Sequence, residues 1–244
     1  MSTSKSSLID ARRRKGSGND DEASPDPRPG TVTAIHPQAR DPTRVSVFVD
    51  GAFSFGVARD VASDFGLTTN RVLDETELSD VLAREQLRKA TNVALNFLAY
   101  RQRSEGEIRR RLGKGGFPEA TIELTLDKLR ELHYVDDPEF ARRWIENRGD
   151  HRPRGARLLA QELKVKGIDQ EILSAALEEA DLDERSDALT LARDRAQRMT
   201  GLQSSIRERR LSGFLARRGY GFEVIRATLN ILREEAGNES PESE

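Results

Sequence analysis

The chain has 244 residues, 36% of them hydrophobic and 34% charged, with a formal net charge of −2. That is thin filling for one large globule and suits a row of small helical modules, while the near-neutral total excludes a polycation. The lack of cysteine excludes disulfides and thiolate metal sites and is compatible with a reducing cytoplasm.

Residues 1–30 are rich in Ser, Gly, Asp, Pro and Arg and nearly lack large apolar side chains, so a disordered tail is expected there. The basic run Arg12 to Lys15 is not followed by an apolar stretch, which speaks against a secretory signal. No apolar run approaches the roughly 20 residues that cross a bilayer; no membrane role is expected, and the expected location is cytoplasmic. A small β-hairpin extension is expected over 31–73. Val45, Val47 and Val49 alternate with Ser46 and Phe48, and Asp50-Gly51 separates them from Ala52-Phe53-Ser54-Phe55. Asp-Gly between β-formers predicts a two-residue turn, because a type I′ turn needs positive φ at both central positions. The pairing then sets Val49 against Ala52 and Phe48 against Phe53, with Phe48, Phe53 and Phe55 on one buried face. No basic residue interleaves those phenylalanines, which disfavours a base-stacking platform. Thr31 to Ile35 offers a third strand. Asp74 followed by Glu77 reads as a capped helix start. It opens a connecting helix over 74–90 whose pattern runs through Leu78, Leu82 and Leu87 toward Tyr100, with room for a break.

Beyond this point the chain repeats itself. Gly116, Gly167 and Gly219 lie 51 and 52 residues apart. Each is followed by an apolar or aromatic residue: Phe117, Ile168 and Tyr220. Ile108 and Leu112, Leu159 and Leu163, and Leu211 and Leu215 precede the glycines at eight and four residues. Ile122 and Leu126, Leu173 and Leu177, and Ile225 and Leu229 follow them at six and ten. Each pair lies one helical turn apart on one face. The glycine sits where the first helix of the pair must stop and supplies a left-handed residue. A further helix precedes the pair; in the second copy Asp137 is expected as its cap, Pro138 at its first position, and Phe140 and Trp144 one turn apart. The expected fold is therefore mainly α: three tandem three-helix repeats over 91–136, 137–182 and 183–234, stacked as an elongated array. An acidic disordered tail is expected over 235–244.

The arginines cluster. There are six basic residues against two acids over 101–116, eight against three over 141–167, and seven against two over 200–233. A cluster that recurs with the repeats points to a basic stripe facing a partner, although each arginine taken alone is more simply a solvated helix residue with an intrahelical partner. The candidate contacts are Arg101, Arg109, Arg110, Arg142, Arg148, Arg152, Arg154, Arg157, Lys164, Lys166, Arg217 and Arg218. Arg152, Arg154 and Arg157 stand out because Arg-Pro-Arg-Gly reads as a linker, where side chains reach outward. Asp136-Asp137 reads as helix capping rather than a metal site. Phe140 and Trp144 read as core. Gly113-Lys114 lacks the flanking glycine, the Ser or Thr and the preceding strand of a phosphate-binding loop. No catalytic arrangement, cofactor or metal site can be assembled, and no small-molecule substrate is expected.

The runs Asn96-Phe-Leu-Ala-Tyr-Arg-Gln-Arg-Ser-Glu-Gly-Glu-Ile-Arg-Arg-Arg-Leu112 and Leu129-Arg-Glu-Leu-His-Tyr-Val-Asp-Asp-Pro-Glu-Phe-Ala141 resemble the first repeat of RecX regulatory proteins. Arg152-Pro-Arg-Gly155 and Glu162-Leu-Lys-Val-Lys-Gly-Ile168 resemble the second, and Phe214-Leu-Ala-Arg-Arg-Gly-Tyr220 the third. The likeness covers about 91 to 232 and extends more weakly to residue 31. It implies a non-enzymatic modulator, mainly an inhibitor, of the RecA recombinase, acting in recombination, DNA repair and the SOS response. Such a protein binds the RecA filament on single-stranded DNA and restrains its growth, ATP hydrolysis and strand exchange, with some direct affinity for single- or double-stranded DNA. The tails and Gly113-Lys-Gly-Gly116 depart from the family pattern. The rival expectation is a helix-turn-helix-like protein that binds duplex DNA directly.

Overall fold

The computed structural model describes residues 26–151 and 153–238, without the side chains at 149–151 and 237–238. Most of the two expected tails, and Arg152, therefore lie outside the described residues. The described chain forms two compact units divided after Glu85.

The first unit is a four-stranded antiparallel sheet in the order β3-β2-β1-β4, with β1 Gly30–Pro37, β2 Arg44–Val49, β3 Ala52–Ala58 and β4 Val72–Leu73. Helix α1 (Arg59–Asp64) and the start of α2 (Glu75–Leu98) follow the strands. The Asp50-Gly51 turn forms as expected, with φ of 48° and 83°, and sets Val49 against Ala52 and Phe48 against Phe53. The expected single phenylalanine face does not form. The register shifts after Phe48, so that Ser54 is passed over and Phe55 pairs with Val47. A bulge of one residue moves every later side chain to the other face. Phe55 thus joins the core with Val45, Val47 and Val57. Phe48 and Phe53 stay on the outer face, edge to face at 5.9 Å, beside His36. Strand β4 has only two residues, too few for a period-2 signal to show in the sequence.

Helix α2 begins as its capping pattern requires, with the Glu77 amide donating to Asp74 at 2.8 Å, and it is continuous to Leu98. The buried Glu85 ties it to the sheet by accepting from Arg44 at 2.6 Å and from the Ala58 amide at 3.0 Å.

The second unit holds the repeats. Repeat 1 uses the later part of α2 with α3 (Glu105–Lys114) and α4 (Glu119–Glu131). Repeat 2 uses α5 (Asp137–His151), α6 (Ala156–Lys166) and α7 (Gln170–Glu179). Repeat 3 uses α8 (Glu184–Gln197), α9 (Ser204–Arg217) and α10 (Phe222–Asn238). Gly116, Gly167 and Gly219 have φ of 78°, 85° and 91°. Their amides donate to the carbonyls of Gly113, Lys164 and Ala216, and the next amides, those of Phe117, Ile168 and Tyr220, reach back to Leu112, Leu163 and Leu215. The same Schellman closure, forced by the same glycine, thus ends all three middle helices. The residues at eight and four before each glycine are buried throughout, as are Ile122, Leu173 and Ile225 at six after; Leu177 and Leu229 are partly buried.

Gly167 and Gly219 have a second duty. A Cβ on Gly167 would lie 2.9 Å from the Gly106 Cα, and one on Gly219 would lie 2.4 Å from the Leu158 Cβ and 2.5 Å from its backbone nitrogen. A Cβ on Gly116 would meet open space. Gly116→Ala is therefore expected to cost only the left-handed strain of about 1–2 kcal/mol. Gly219→Ala adds a backbone clash and should cost at least about 1 kcal/mol more in urea unfolding followed by helical circular dichroism; equal losses would show that the contact at Gly219 contributes nothing.

Candidate macromolecular interface

Each joint between repeats uses three consecutive residues: an apolar residue, an aspartate and a second acid. At the first joint Val135 is buried in the core of repeat 1. Asp136 accepts from the Glu139 amide at 2.8 Å and so caps α5. Asp137, expected as that cap, is instead the first helical residue; it turns back and accepts from the Glu105 amide at the start of α3, at 2.9 Å. At the second joint Leu182 packs on the core of repeat 2. Asp183 caps α8 through the Ser186 amide at 3.0 Å, and Glu184 accepts from the Ala156 amide at the start of α6, at 2.7 Å. At both helix starts the first amide is thus met by a carboxylate from the following repeat, which also suits the positive end of the helix dipole; in α3 the Ser104 hydroxyl caps the Glu107 amide as well, at 3.2 Å.

Next to each carboxylate the two repeats touch backbone to backbone. The Ser104 hydroxyl donates to the Lys166 carbonyl at 2.7 Å, and the Gly155 amide donates to the Arg218 carbonyl at 2.9 Å. Both carbonyls immediately precede a corner glycine. Gly106 and Gly155 permit the approach, since a Cβ there would come within 2.6 Å of the Lys166 carbonyl oxygen or 2.4 Å of the Gly219 one.

A belt of cations and aromatic rings crosses repeats 1 and 2. Glu107 accepts from Arg101 and Lys166, each at 2.8 Å, with Arg103 at 3.9 Å. Burial opposes its ionisation, but the hydrogen bonds from Arg101 and Lys166 prevail and hold the carboxyl below its ordinary range. The Lys166 ammonium also sits 4.9 Å above the Trp144 ring, Arg148 lies 4.4 Å above it, and Phe140 stacks against it at 5.8 Å. The Trp144 indole donates to Glu162 at 2.9 Å, and Arg148 and Arg154 pair with that same carboxylate. Trp144 therefore packs on Phe140 as expected but also couples the charges, a role its helical spacing does not reveal.

The candidate contacts fall into two groups. Arg109 is held by Glu119 and Glu123, Arg142 by Glu139 at 2.7 Å, Arg110 by the Lys166 carbonyl at 3.3 Å, and Arg218 by the Pro153 carbonyl at 3.4 Å. With Arg101, Arg148, Arg154 and Lys166 in the belt, eight of the twelve have partners within the chain. The linker around Arg154 is tied down at both Pro153 and Gly155. Arg157, Lys164 and Arg217 are exposed and make no hydrogen bond or ion pair among the described residues. Arg111, Lys114, Arg209 and Arg210 share that state, although none of the four was a candidate contact. All seven lie on the middle helices, α3, α6 and α9. No signal in the sequence marks Arg111: the i−4 rule offers it Glu107 as a partner, and only the structure shows that Arg101 and Lys166 occupy that carboxylate.

No group of His, Cys, Asp or Glu among the described residues is arranged to hold a metal ion, and no helix among them is long and apolar enough to cross a membrane.

Four family models match the chain. The RecX N-terminal domain covers residues 30–74, and the first, second and third RecX three-helix domains cover 90–129, 136–177 and 183–229. A regulatory protein RecX from Bacillus velezensis is 31% identical over 210 residues, which span 86% of this chain and 80% of that one. One from Mycolicibacterium smegmatis is 38% identical over 174 residues, 67% of this chain and 90% of its own. A crystal structure of a regulatory protein RecX matches with a TM-score of 0.65 at 26% identity, covering 82% of this chain and 98% of that one.

The first joint carries a pH dependence. Burial pushes the Asp137 carboxyl from its ordinary 3.8 up to about 6, with Glu105 and Asp136 adding repulsion against the Glu105 amide and Arg130. A raised folded pKa means that the fold prefers the protonated form, so this stabilisation is complete below about pH 4 and is lost as pH rises through about 6. Asp137→Asn keeps an acceptor for the Glu105 amide and cannot ionise. Its melting temperature should match the parent near pH 4 and exceed it near pH 7; a difference that does not change with pH would contradict the assignment.

Proposed function

The chain belongs to the RecX family of regulatory proteins, and on that premise we propose that it binds the RecA filament on single-stranded DNA and restrains filament growth, ATP hydrolysis and strand exchange. The supporting observation is that seven exposed cations on the three equivalent helices α3, α6 and α9 make no hydrogen bond or ion pair among the described residues. Exposed cations without partners are the ones that a polyanion or an acidic protein surface can recruit without breaking an internal bond. Three modules that each offer two or three such charges suit a repeating partner, because linked weak contacts combine through effective concentration. The activity needs no catalytic residue or cofactor, and action in the cytoplasm on recombination, DNA repair and the SOS response follows from the same reading. Inhibition then follows if the bound repeats oppose the change between filament states during ATP turnover or block an end.

The charge distribution disfavours direct reading of duplex DNA. In a helix-turn-helix unit the third helix enters the major groove. Here α7 carries no Arg or Lys at all, and in α10 Arg226 and Arg233 are paired with Glu223 and Glu208.

Titration of RecA-catalysed, single-stranded-DNA-dependent ATP hydrolysis tests the proposal. Inhibition is expected at amounts well below one copy per recombinase protomer. The triple variant Arg157→Glu, Lys164→Glu, Arg217→Glu should retain its fold, because none of the three has a hydrogen-bond or ion-pair partner among the described residues. It should need roughly tenfold more protein for half inhibition, about 1.4 kcal/mol, with a shallower salt dependence. The linker variant Arg152→Ala, Arg154→Ala, Arg157→Ala should weaken inhibition as well, while also removing the Arg154 pairing from Glu162, which Trp144 and Arg148 still hold. No effect at excess on an assembled filament would overturn the proposal.

A further inference from the structure

Two helices of repeat 2 carry opposite charge in matching patterns. On α6 the exposed side chains of Arg157, Gln161, Lys164 and Val165 share one face, an arc of about 100°. On α7 the exposed Glu171, Ala175 and Glu178 share a face with the half-buried Ile172, an arc of about 120°. Arg157 and Lys164 stand seven residues apart, and so do Glu171 and Glu178. Each pair therefore spans two turns, about 10.5 Å.

All four charged side chains make no hydrogen bond or ion pair among the described residues. No Arg or Lys of α7 itself offsets its acids, and Glu179, the remaining acid of the helix, is the one that Arg142 holds, at 3.7 Å. Each face also has an apolar part. Val165 is 67% exposed, and beside α7 lies a groove of about 350 Å³ whose lining includes Pro138, Ile172, Ala175 and Ala176.

We propose that the α6 face of one copy of this chain docks, antiparallel, on the α7 face of a second copy. In that alignment Arg157 meets Glu178 and Lys164 meets Glu171, because the two spacings are equal. Gln161 lies over Ala175 between the pairs, and the small side chain of Ala175 lets the helices approach. Val165 falls on the side of Ile172 and covers the apolar groove. A parallel alignment would carry Val165 to the side away from Ile172. Complementarity of charge selects a second copy, since every copy offers both faces. The contact covers two of the seven exposed cations. It rests on repeat 2 and does not depend on the filament reading.

Light scattering of the full chain at about 100 μM, without recombinase or DNA, is the test. At about 20 mM salt the apparent mass should exceed that of one chain, and at about 500 mM it should return to that of one chain, because salt screens exposed pairs. Arg157→Glu with Lys164→Glu should weaken association at least roughly tenfold, and so should Glu171→Lys with Glu178→Lys. An equimolar mixture of these two variants should associate again, since each reversed face then meets its complement on the other chain. The chain has no cysteine, so Gln161→Cys mixed with Ala175→Cys gives a second reading that leaves every charge in place. A disulfide between those two variants should form at low salt and several-fold less at high salt. A single-chain mass at low salt, a charge-reversed mixture no more associated than either variant alone, or absence of the mixed disulfide would each overturn the proposal. The first of these would leave the two faces to partners other than a second copy.

Discussion

The helical unit depends on the next repeat supplying the partner for the first amide of a helix start. An α-helix leaves its first amides without partners, and burying them unsatisfied costs more than a hydrogen bond returns. In α3 and α6 the first amide is satisfied by a carboxylate from the following joint, not from the helix's own turn. A corner glycine packs beside it at a distance that no side chain would tolerate. Each repeat therefore completes its neighbour. Order along the chain is maintained by local contacts between consecutive modules, as expected where every module buries only a thin core.

Much of this was legible in the sequence, and what was hidden was hidden for physical reasons. The corner glycines, the apolar pairs around them and the capping of α2 follow from rules with fixed offsets, and all appear as expected. The phenylalanine faces did not, because one bulged residue at Ser54 inverts a period-2 argument without leaving a mark in composition. The exchange of roles between Asp136 and Asp137 has a similar origin. Either acid can cap α5 by local rules, and only the presence of α3 in space makes the second one an acceptor for Glu105. A joint motif of apolar residue, aspartate and acid is visible in the sequence at 135–137 and 182–184. Its third residue acquires meaning only once the preceding helix start is seen to need it.

The basic clusters show the same limit from the other side. Counting arginines identifies where positive charge is concentrated but not which charges are free. Arg154 and Lys166 belong to the cluster with the most basic residues, yet both are held by glutamates and take part in the belt around Trp144. Arg111 and Lys114 belong to another cluster and have no hydrogen bond or ion pair among the described residues. The difference is set by where Glu107 and Glu162 sit on neighbouring helices, and sequence distance does not record that.

The middle repeat is the one in which these constraints meet. Its corner glycine docks on α3, its own helix start is closed by Glu184, and Trp144 links Lys166 on one side to Glu162 on the other. Lys166 in turn pairs with Glu107 of repeat 1. A contact that displaced either carboxylate would loosen a cation from the tryptophan faces and disturb the seating of a neighbouring repeat at once. The cations best suited to meet a partner without that cost are those outside the belt, Arg157 and Lys164, which project from the same helix at a spacing of two turns. The repeat thus separates its charges by work: the half-buried belt fixes the relation between modules, and Arg157 and Lys164 stay exposed outside it.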